Sequence, residues 1–375
     1  MEKEEHKIIV IDCRSIRYPL TGIGRYTLEI ISNIPQSKLN YKFLLLSHEK
    51  INIENQNFIY KSSLLKNKIL RFLWSNLYIS FYLRRINPSA YWATCHRYPF
   101  FLGNYTKILT IHDFVWQKYP NTMTFSNYIL DKFLMPIAID KSNIIFTVSE
   151  NTKNDLLMFK PEVKSKIITI PLTSKFKISQ FNFKDIPVEL IQLCKKSQFI
   201  LFVGTLEPRK NLRNLILAFL TSSEVSSKNI NLLIVGQKGW GVDAFYQEVE
   251  QHANFKNIIF LDFLSDNSLS YLYKNAIFIA YPSLYEGYGL PIIEAINHGK
   301  AVLTSNISSM PEVAKNCGYY VDPTSIQSIK VALNKLISNK KLLNNLEKNS
   351  RMRKFSSWSE ITEKKLDVII DLIHN

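Results

Sequence analysis

Short apolar runs alternate with longer stretches of helical periodicity, and the alternation runs through the chain twice. In the first pass, His6–Asp12 reads as a buried strand, with Ile8-Ile9-Val10-Ile11 at its centre. Gly22-Ile23-Gly24 and a helix from about Arg25 to Ile34 follow. Further strands are expected at Phe43–Ser47, Ala90–Ala93, Ile108–Ile111 and Asn143–Val148. A helix is expected over Asn127–Ile139, with Pro136 a candidate kink. Another begins near Ser149, a capping residue followed by polar side chains. Residues Leu172–Pro187 lose periodicity and read as a connection. The second pass has strands at Phe199–Val203, Asn231–Val235, Ile258–Asp262, Ile277–Tyr281 and Ala301–Thr304. Its helices fall near Asn211–Leu220, Asp266–Lys274 and Pro291–His298. Buried strands separated by helices imply parallel sheets with helical cover, an α/β protein. Such sheets bind ligands beyond the carboxyl ends of their strands.

Composition adds boundaries. A chain of 375 residues with 46% hydrophobic content suits two domains with full cores. The acidic start, Met1-Glu2-Lys3-Glu4-Glu5, does not read as a signal peptide, and no apolar run nears the ~20 residues of a membrane span. Four dispersed cysteines show no metal-ligand spacing and imply free thiols in a reducing compartment.

Charge is uneven. Residues 1–190 hold 26 Lys and Arg against 15 Asp and Glu, a net of +11, and the rest of the chain is +5. No acid occurs between Glu54 and Asp113, while residues 61–107 carry eight cations. Within that stretch, Ile69–Arg85 reads as one aromatic helix with basic ends. Two readings stand: an interfacial helix on an anionic membrane, or a core helix with solvated tips. No nucleic-acid module accompanies the basic region, so nucleic acid is not an expected partner.

Three segments of the second half carry candidate chemistry. Phe199–Val203 leads into Gly204-Thr205-Leu206-Glu207-Pro208-Arg209-Lys210-Asn211. A strand ending in glycine, then two cations, then a helix is a reasonable phosphate site, and a solvated basic loop is the plainer alternative. Asn231–Val235 ends in Gly236-Gln237-Lys238-Gly239-Trp240-Gly241, which reads first as a turn. Tyr285-Glu286-Gly287-Tyr288-Gly289-Leu290-Pro291-Ile292-Ile293-Glu294 places one carboxylate in a glycine-rich loop and a second past a proline that opens a helix. Such a helix start presents backbone donors to an anion.

With Leu233-Ile234-Val235-Gly236 between them, these segments resemble the retaining group 1 glycosyltransferases, whose signature is a pair of glutamates with seven residues between. The first half is similar through Thr21-Gly22-Ile23-Gly24-Arg25-Tyr26, Thr110-Ile111-His112-Asp113 and Thr147-Val148-Ser149-Glu150. The branch it most resembles is that of bacterial polysaccharide mannosyl- and rhamnosyltransferases. The resemblance implies a GT-B fold, two Rossmann-like domains with parallel sheets facing across a cleft. Residues 1–180 would bind acceptor, residues 190–357 would bind nucleotide-sugar, and a final helix, 358–375, would cross back to the first domain.

It also implies roles. Glu286 would meet hydroxyls of the transferred sugar, and Glu294 the ribose diol. Backbone N–H groups around Gly289 and Leu290 would meet the diphosphate, whose charge Arg209 and Lys210 would offset. Gly22 and Gly24 would let the first loop approach the donor, and His112 would sit near the reacting sugar. Departures are Thr205, where some relatives have a cation, and His298, to which no role is attached. Retention without a protein nucleophile is implied. No Asp-x-Asp occurs, so no metal clamp of that kind is expected. No cofactor is expected, since the donor is a co-substrate; a GDP-sugar carrying a mannose-like hexose is favoured over a UDP-sugar. The expected acceptor is a lipid-linked saccharide in surface polysaccharide or lipopolysaccharide synthesis, met in the cytoplasm or peripherally on the inner face of the membrane. Alternatives are a sugar-nucleotide hydrolase, a phosphorylase-like transferase, or a catalytically silent nucleotide-binding or membrane-associated scaffold. A dinucleotide-dependent dehydrogenase is weaker, because Gly22-Ile23-Gly24 is only a fragment of that fingerprint.

Overall fold

The computed structural model describes residues 7–374 except 19, 39, 54, 175–181, 238 and 240–248. The charged first six residues, part of the expected connection, and Lys238, Trp240 and Gly241 of the glycine turn lie outside the described residues. The chain divides into two units. Unit 1 comprises Met1–Gln117, Phe125–Leu172 and Ser356–Asn375; unit 2 comprises Lys118–Thr124 and Thr173–Phe355.

Unit 1 holds strands β1 (Ile8–Asp12), β2 (Lys42–Ser47), β3 (Phe58–Ser62), β4 (Ala90–Ala93), β5 (Thr106–Ile111), β6 (Ile144–Thr147) and β7 (Ile167–Thr169). All pairs are parallel, in the order β3-β2-β1-β4-β5-β6-β7. Every residue of β4 is buried, as is β2 after Lys42, which explains their unbroken apolar runs. Val10, Leu44, Tyr91, Leu109 and Ile145 join one core with Leu83, Met135 and Ile139 from covering helices. Each such side chain contributes about 1.5–3 kcal/mol by leaving water.

Unit 2 holds β8 (Phe199–Val203), β9 (Asn231–Val235), β10 (Ile258–Leu261), β11 (Ile279–Tyr281), β12 (Val302–Ser305) and β13 (Gly318–Val321). They too pair in parallel, in the order β10-β9-β8-β11-β12-β13. In both sheets the chain runs outward over the first three strands and restarts on the other side of the first. Each sheet therefore has a switch point, β1/β4 in unit 1 and β8/β11 in unit 2, where the loops leaving the two strands diverge and open a crevice.

Several local expectations need correction. The first helix spans Gly22–Ser32, starting at Gly22 and not near Arg25, because the Thr21 hydroxyl accepts the Gly24 N–H at 3.2 Å and caps it. The helix of the second signature begins at Leu290, with Pro291 second, because Gly289 at φ 100° turns the chain into it. Ile69–Arg85 is not one regular helix: Lys68–Leu73 and Ile79–Ile86 are joined by a π turn at Trp74–Tyr78. Its second half packs on the core through Ile79 and Leu83, and its first turn does not. Ser75, Asn76, Ile79, Ser80 and Leu83 face inward, while Ile69, Leu70, Phe72, Leu73 and Phe81 are exposed. Helix Phe125–Lys141 runs through Pro136, and Ser149 caps Glu150–Phe159 through the Thr152 N–H, as expected.

Candidate active site

At the unit 2 switch point, the loops after β8 and β11 are stitched together by backbone and amide contacts. The turn after β8 closes at Asn211, whose backbone is left-handed (φ 59°). Its Nδ2 donates to the carbonyls of Pro282 at 2.9 Å and Pro323 at 2.7 Å. The Leu284 N–H donates to the Arg209 carbonyl at 2.9 Å. On the other side of β8, a Cβ on Gly236 would stand 1.9 Å from the Gly204 carbonyl oxygen, so glycine is obligatory there.

This stitching brings Arg209, Lys210 and Glu286 into contact. Lys210 Nζ lies 2.7 Å from Glu286 Oε1 and donates to the Tyr281 hydroxyl at 2.6 Å; that hydroxyl donates to the same Oε1 at 2.9 Å. Arg209 reaches Glu286 Oε2 at 2.9 Å, Glu207 Oε1 at 2.5 Å and the Tyr285 carbonyl at 2.6 Å. Burial pushes the Glu286 carboxyl up, but Arg209 and Lys210 outweigh it and hold its pKa at about 2. Burial also drives the Tyr281 hydroxyl well above its usual range, so it stays a donor. Ser308 and Ser309 hydroxyls bind the Glu286 carbonyl at 2.7 and 2.9 Å, fixing the loop from below.

Beside this cluster stands helix Leu290–Asn297. Gly289, its N-cap, has no side chain to cap with, so the helix start keeps backbone donors for an outside anion. Glu294 is buried one turn in, and its Oε2 accepts from the Tyr273 hydroxyl at 2.7 Å. The Tyr273 ring stacks on His298, centroids 5.0 Å apart. His298 Nδ1–H donates to the Glu294 carbonyl at 2.6 Å, and Nε2 accepts from Ser270 at 2.7 Å. Sequence reasoning gave His298 no role; it props the tyrosine that orients Glu294. Tyr281, Tyr273, Glu207 and Asn211 were also missed. Only Glu207 and Asn211, which flank Arg209 and Lys210 in the sequence, carried a local signal.

Gly22, Gly24 and His112 lie in unit 1. A Cβ on Gly24 would come within 2.8 Å of the Ser15 carbonyl, so packing of the loop on itself explains that glycine. The space beside Gly22 is open. His112 follows β5 and is buried. Its Nε2–H donates to the Thr94 carbonyl at 2.8 Å, which leaves Nδ1 as an acceptor, and its backbone N–H donates to His96 Nε2 at 3.1 Å. Burial, then the neighbouring His96, hold its pKa down at about 3, so the ring is neutral near pH 7.

Comparison with known proteins fits this geometry. The sequence pattern described as "Glycosyl transferases group 1" matches residues 190–353. O-antigen chain mannosyltransferase B of Escherichia coli is 29% identical over 342 residues, covering 86% of this chain and 88% of its own length. O-antigen chain mannosyltransferase RfbU of Salmonella typhimurium is 29% identical over 248 residues, 66% of this chain and 64% of its own. The crystal structure of WaaG, a glycosyltransferase involved in lipopolysaccharide biosynthesis, superposes with a TM-score of 0.74 over 96% of this chain and 99% of that one; at 16% identity it shows the fold alone. Residues 190–353 thus match the group 1 glycosyltransferase pattern, and the chain has the GT-B fold. Both of these relatives are bacterial O-antigen chain mannosyltransferases, and the chain is similar to them over 86% and 66% of its length.

Proposed function

We propose that this glycosyltransferase moves mannose, with retention and without a metal, from a GDP-sugar to a lipid-linked saccharide in surface polysaccharide synthesis. The observation that carries the donor half is the Arg209–Glu286–Lys210 clasp at the unit 2 switch point, beside a helix start free of a side-chain cap. Without ligand, Glu286 and Glu207 balance the two cations. An incoming diphosphate takes over Arg209 and Lys210, and Glu286 is released to accept hydroxyls of the sugar. Glu294 then accepts from the ribose diol, with Tyr273 holding its other side.

In the reaction, the bond from the anomeric carbon to the phosphate oxygen breaks and a bond to the acceptor oxygen forms on the same face. The acceptor's proton passes to the departing diphosphate. Arg209, Lys210 and the helix start offset the charge that builds up there, commonly the largest catalytic contribution. That makes a metal unnecessary for leaving-group departure. His112, neutral near pH 7 with Nδ1 as acceptor, suits a hydrogen bond from a sugar hydroxyl better than proton transfer.

The donor reading is tested by thermal stabilisation with GDP, UDP, dTDP and ADP. Ligand at ~100 times its Kd adds ~2.7 kcal/mol. GDP is expected to stabilise the wild type most and to lose that effect in Glu294→Ala. Equal shifts from all four, or none, would sink the GDP assignment. Product stereochemistry by NMR decides retention: an inverted anomeric centre overturns it.

The exposed Ile69, Leu70, Phe72, Leu73 and Phe81, with Lys66, Lys68, Arg84 and Arg85 on the same segment, support peripheral contact with an anionic membrane. No helix among the described residues is long and apolar enough to cross one.

A further inference from the structure

Unit 1 has its own switch point, and a cavity of about 510 Å³ opens there. That is the size of a small-molecule site. Its wall comes from the loop after β1 (Arg14, Arg17), the loop after β4 (Arg97) and the segment at Lys68 and Arg71. Five cations thus face one cavity, and no carboxylate is among its lining residues. Two of the five are balanced from behind: Arg14 by Asp12 at 2.5 Å, and Arg97 by Asp131 at 3.4 Å. Arg17, Lys68 and Arg71 form no ion pair among the described residues. Arg71 Nε and Nη2 are buried and meet no acceptor. Buried charged donors without acceptors are costly, and a ligand oxygen is the natural way to satisfy them. The helix Gly22–Ser32 points its N-terminus at the same cavity, since Thr21 and Ile23 also line it. His48, in the wall, is hydrogen-bonded to Ser63 at 2.8 Å and Ser75 at 3.0 Å. Burial and then the surrounding guanidiniums keep it neutral, with a pKa of about 4, so it does not add to the charge.

We propose that this cavity binds a phosphoryl or diphosphoryl group, and that the acceptor is recognised through that anion as well as through its sugar. Arginine forks suit phosphate oxygens, and three unbalanced cations suit a diphosphate better than a neutral saccharide. The proposal deepens the functional reading and rests on it only for the word acceptor; anion binding itself is independent of sugar transfer. The anion's source is a lipid-borne diphosphate or a free one, and the test separates them.

Calorimetry on the full chain, with its nucleotide site saturated by GDP, would follow titration with sodium pyrophosphate, geranyl diphosphate and geraniol. Both diphosphates are expected to bind and geraniol not to. Arg17→Gln/Arg71→Gln is expected to weaken both at least tenfold. Lys68→Gln, at an exposed position where folding is not at stake, is expected to weaken them several-fold. Tighter binding of geranyl diphosphate assigns the site to a lipid-borne group, and equal binding assigns it to the diphosphate alone; either supports the cavity. Undiminished binding in both variants, or no diphosphate binding by the wild type, overturns it. GDP binding is scored separately with Lys210→Met: its loss there and its survival in Arg17→Gln/Arg71→Gln uphold the donor site whatever the cavity does.

Discussion

Glu286 shows how far single residues could be read in advance. Its carboxylate, Arg209 and Lys210 were legible because each sits in a motif at a strand end, where an α/β sheet places its chemistry. Tyr281, Tyr273 and His298 were not, because their importance comes from neighbours 4 to 71 positions away whose arrangement only the fold sets. The depressed pKa of Glu286 has a consequence for stability. Its charged form is favoured in the fold, so its contribution is complete above the ordinary value of 4.5 and is lost as pH falls toward about 2. That gap corresponds to on the order of 3 kcal/mol. Glu286→Gln is therefore expected to be less stable by a few kcal/mol at pH 7, with the deficit shrinking between pH 4.5 and pH 2; urea midpoints across that range check it. Two glycines make a second test. Gly236→Ala forces a methyl onto the Gly204 carbonyl and is expected to cost about 3 kcal/mol, the upper end for overpacking. Gly22→Ala, with open space beside it, is expected to leave the thermal midpoint within about a degree.

At the scale of elements, the strands missed in the sequence were β3, β7 and β13, and all three are sheet edges. A central strand is buried on both faces and writes an apolar run; an edge strand such as β3, mostly exposed after Phe58, writes no such signal. The helix Trp358–His374 was expected from the family resemblance alone, and its oddity was invisible. Trp358 Nε1, Thr362 Oγ1 and Lys365 Nζ form a buried stripe with no hydrogen-bond partner among the described residues. Lys365 Nζ lies 4.4 Å from the Phe146 ring centroid and 5.5 Å from that of Tyr26, which attract a cation but do not replace water. Burial lowers its pKa from 10.5 to about 7. The folded state therefore holds fewer protons than the unfolded one between those values, and stability rises with pH across that window. Lys365→Met is expected to be more stable than wild type by about 1–4 kcal/mol at pH 7. The advantage should fade by about pH 10, which chemical denaturation at the two pH values would show.

For the whole molecule, the doubled alternation of strands and helices predicted two parallel sheets, and the fold has two. The cavity of unit 1 stayed hidden, because its cations come from segments as far apart as Arg14 and Arg97 and their convergence depends on strand order. The excess charge of the first half was visible; that five of those cations face one cavity was not. If the exposed apolar segment meets anionic lipid, the protein is expected to sediment with anionic vesicles at low salt and to be released as salt rises. Failure to sediment at low salt removes the membrane from the proposal.

Unit 1 is not a continuous stretch of chain. It is completed by Ser356–Asn375, whose Trp358, Ile361, Leu366 and Ile369 are buried, after all of residues 173–355 have gone to unit 2. On the ribosome, at roughly 5–20 residues per second, that insertion separates Leu172 from Ser356 by roughly ten to forty seconds. The first unit to begin synthesis is thus the last to be finished. Until its closing helix emerges, the surface of unit 1 that buries Trp358, Ile361, Leu366 and Ile369 stays uncovered, and in that interval aggregation is favoured.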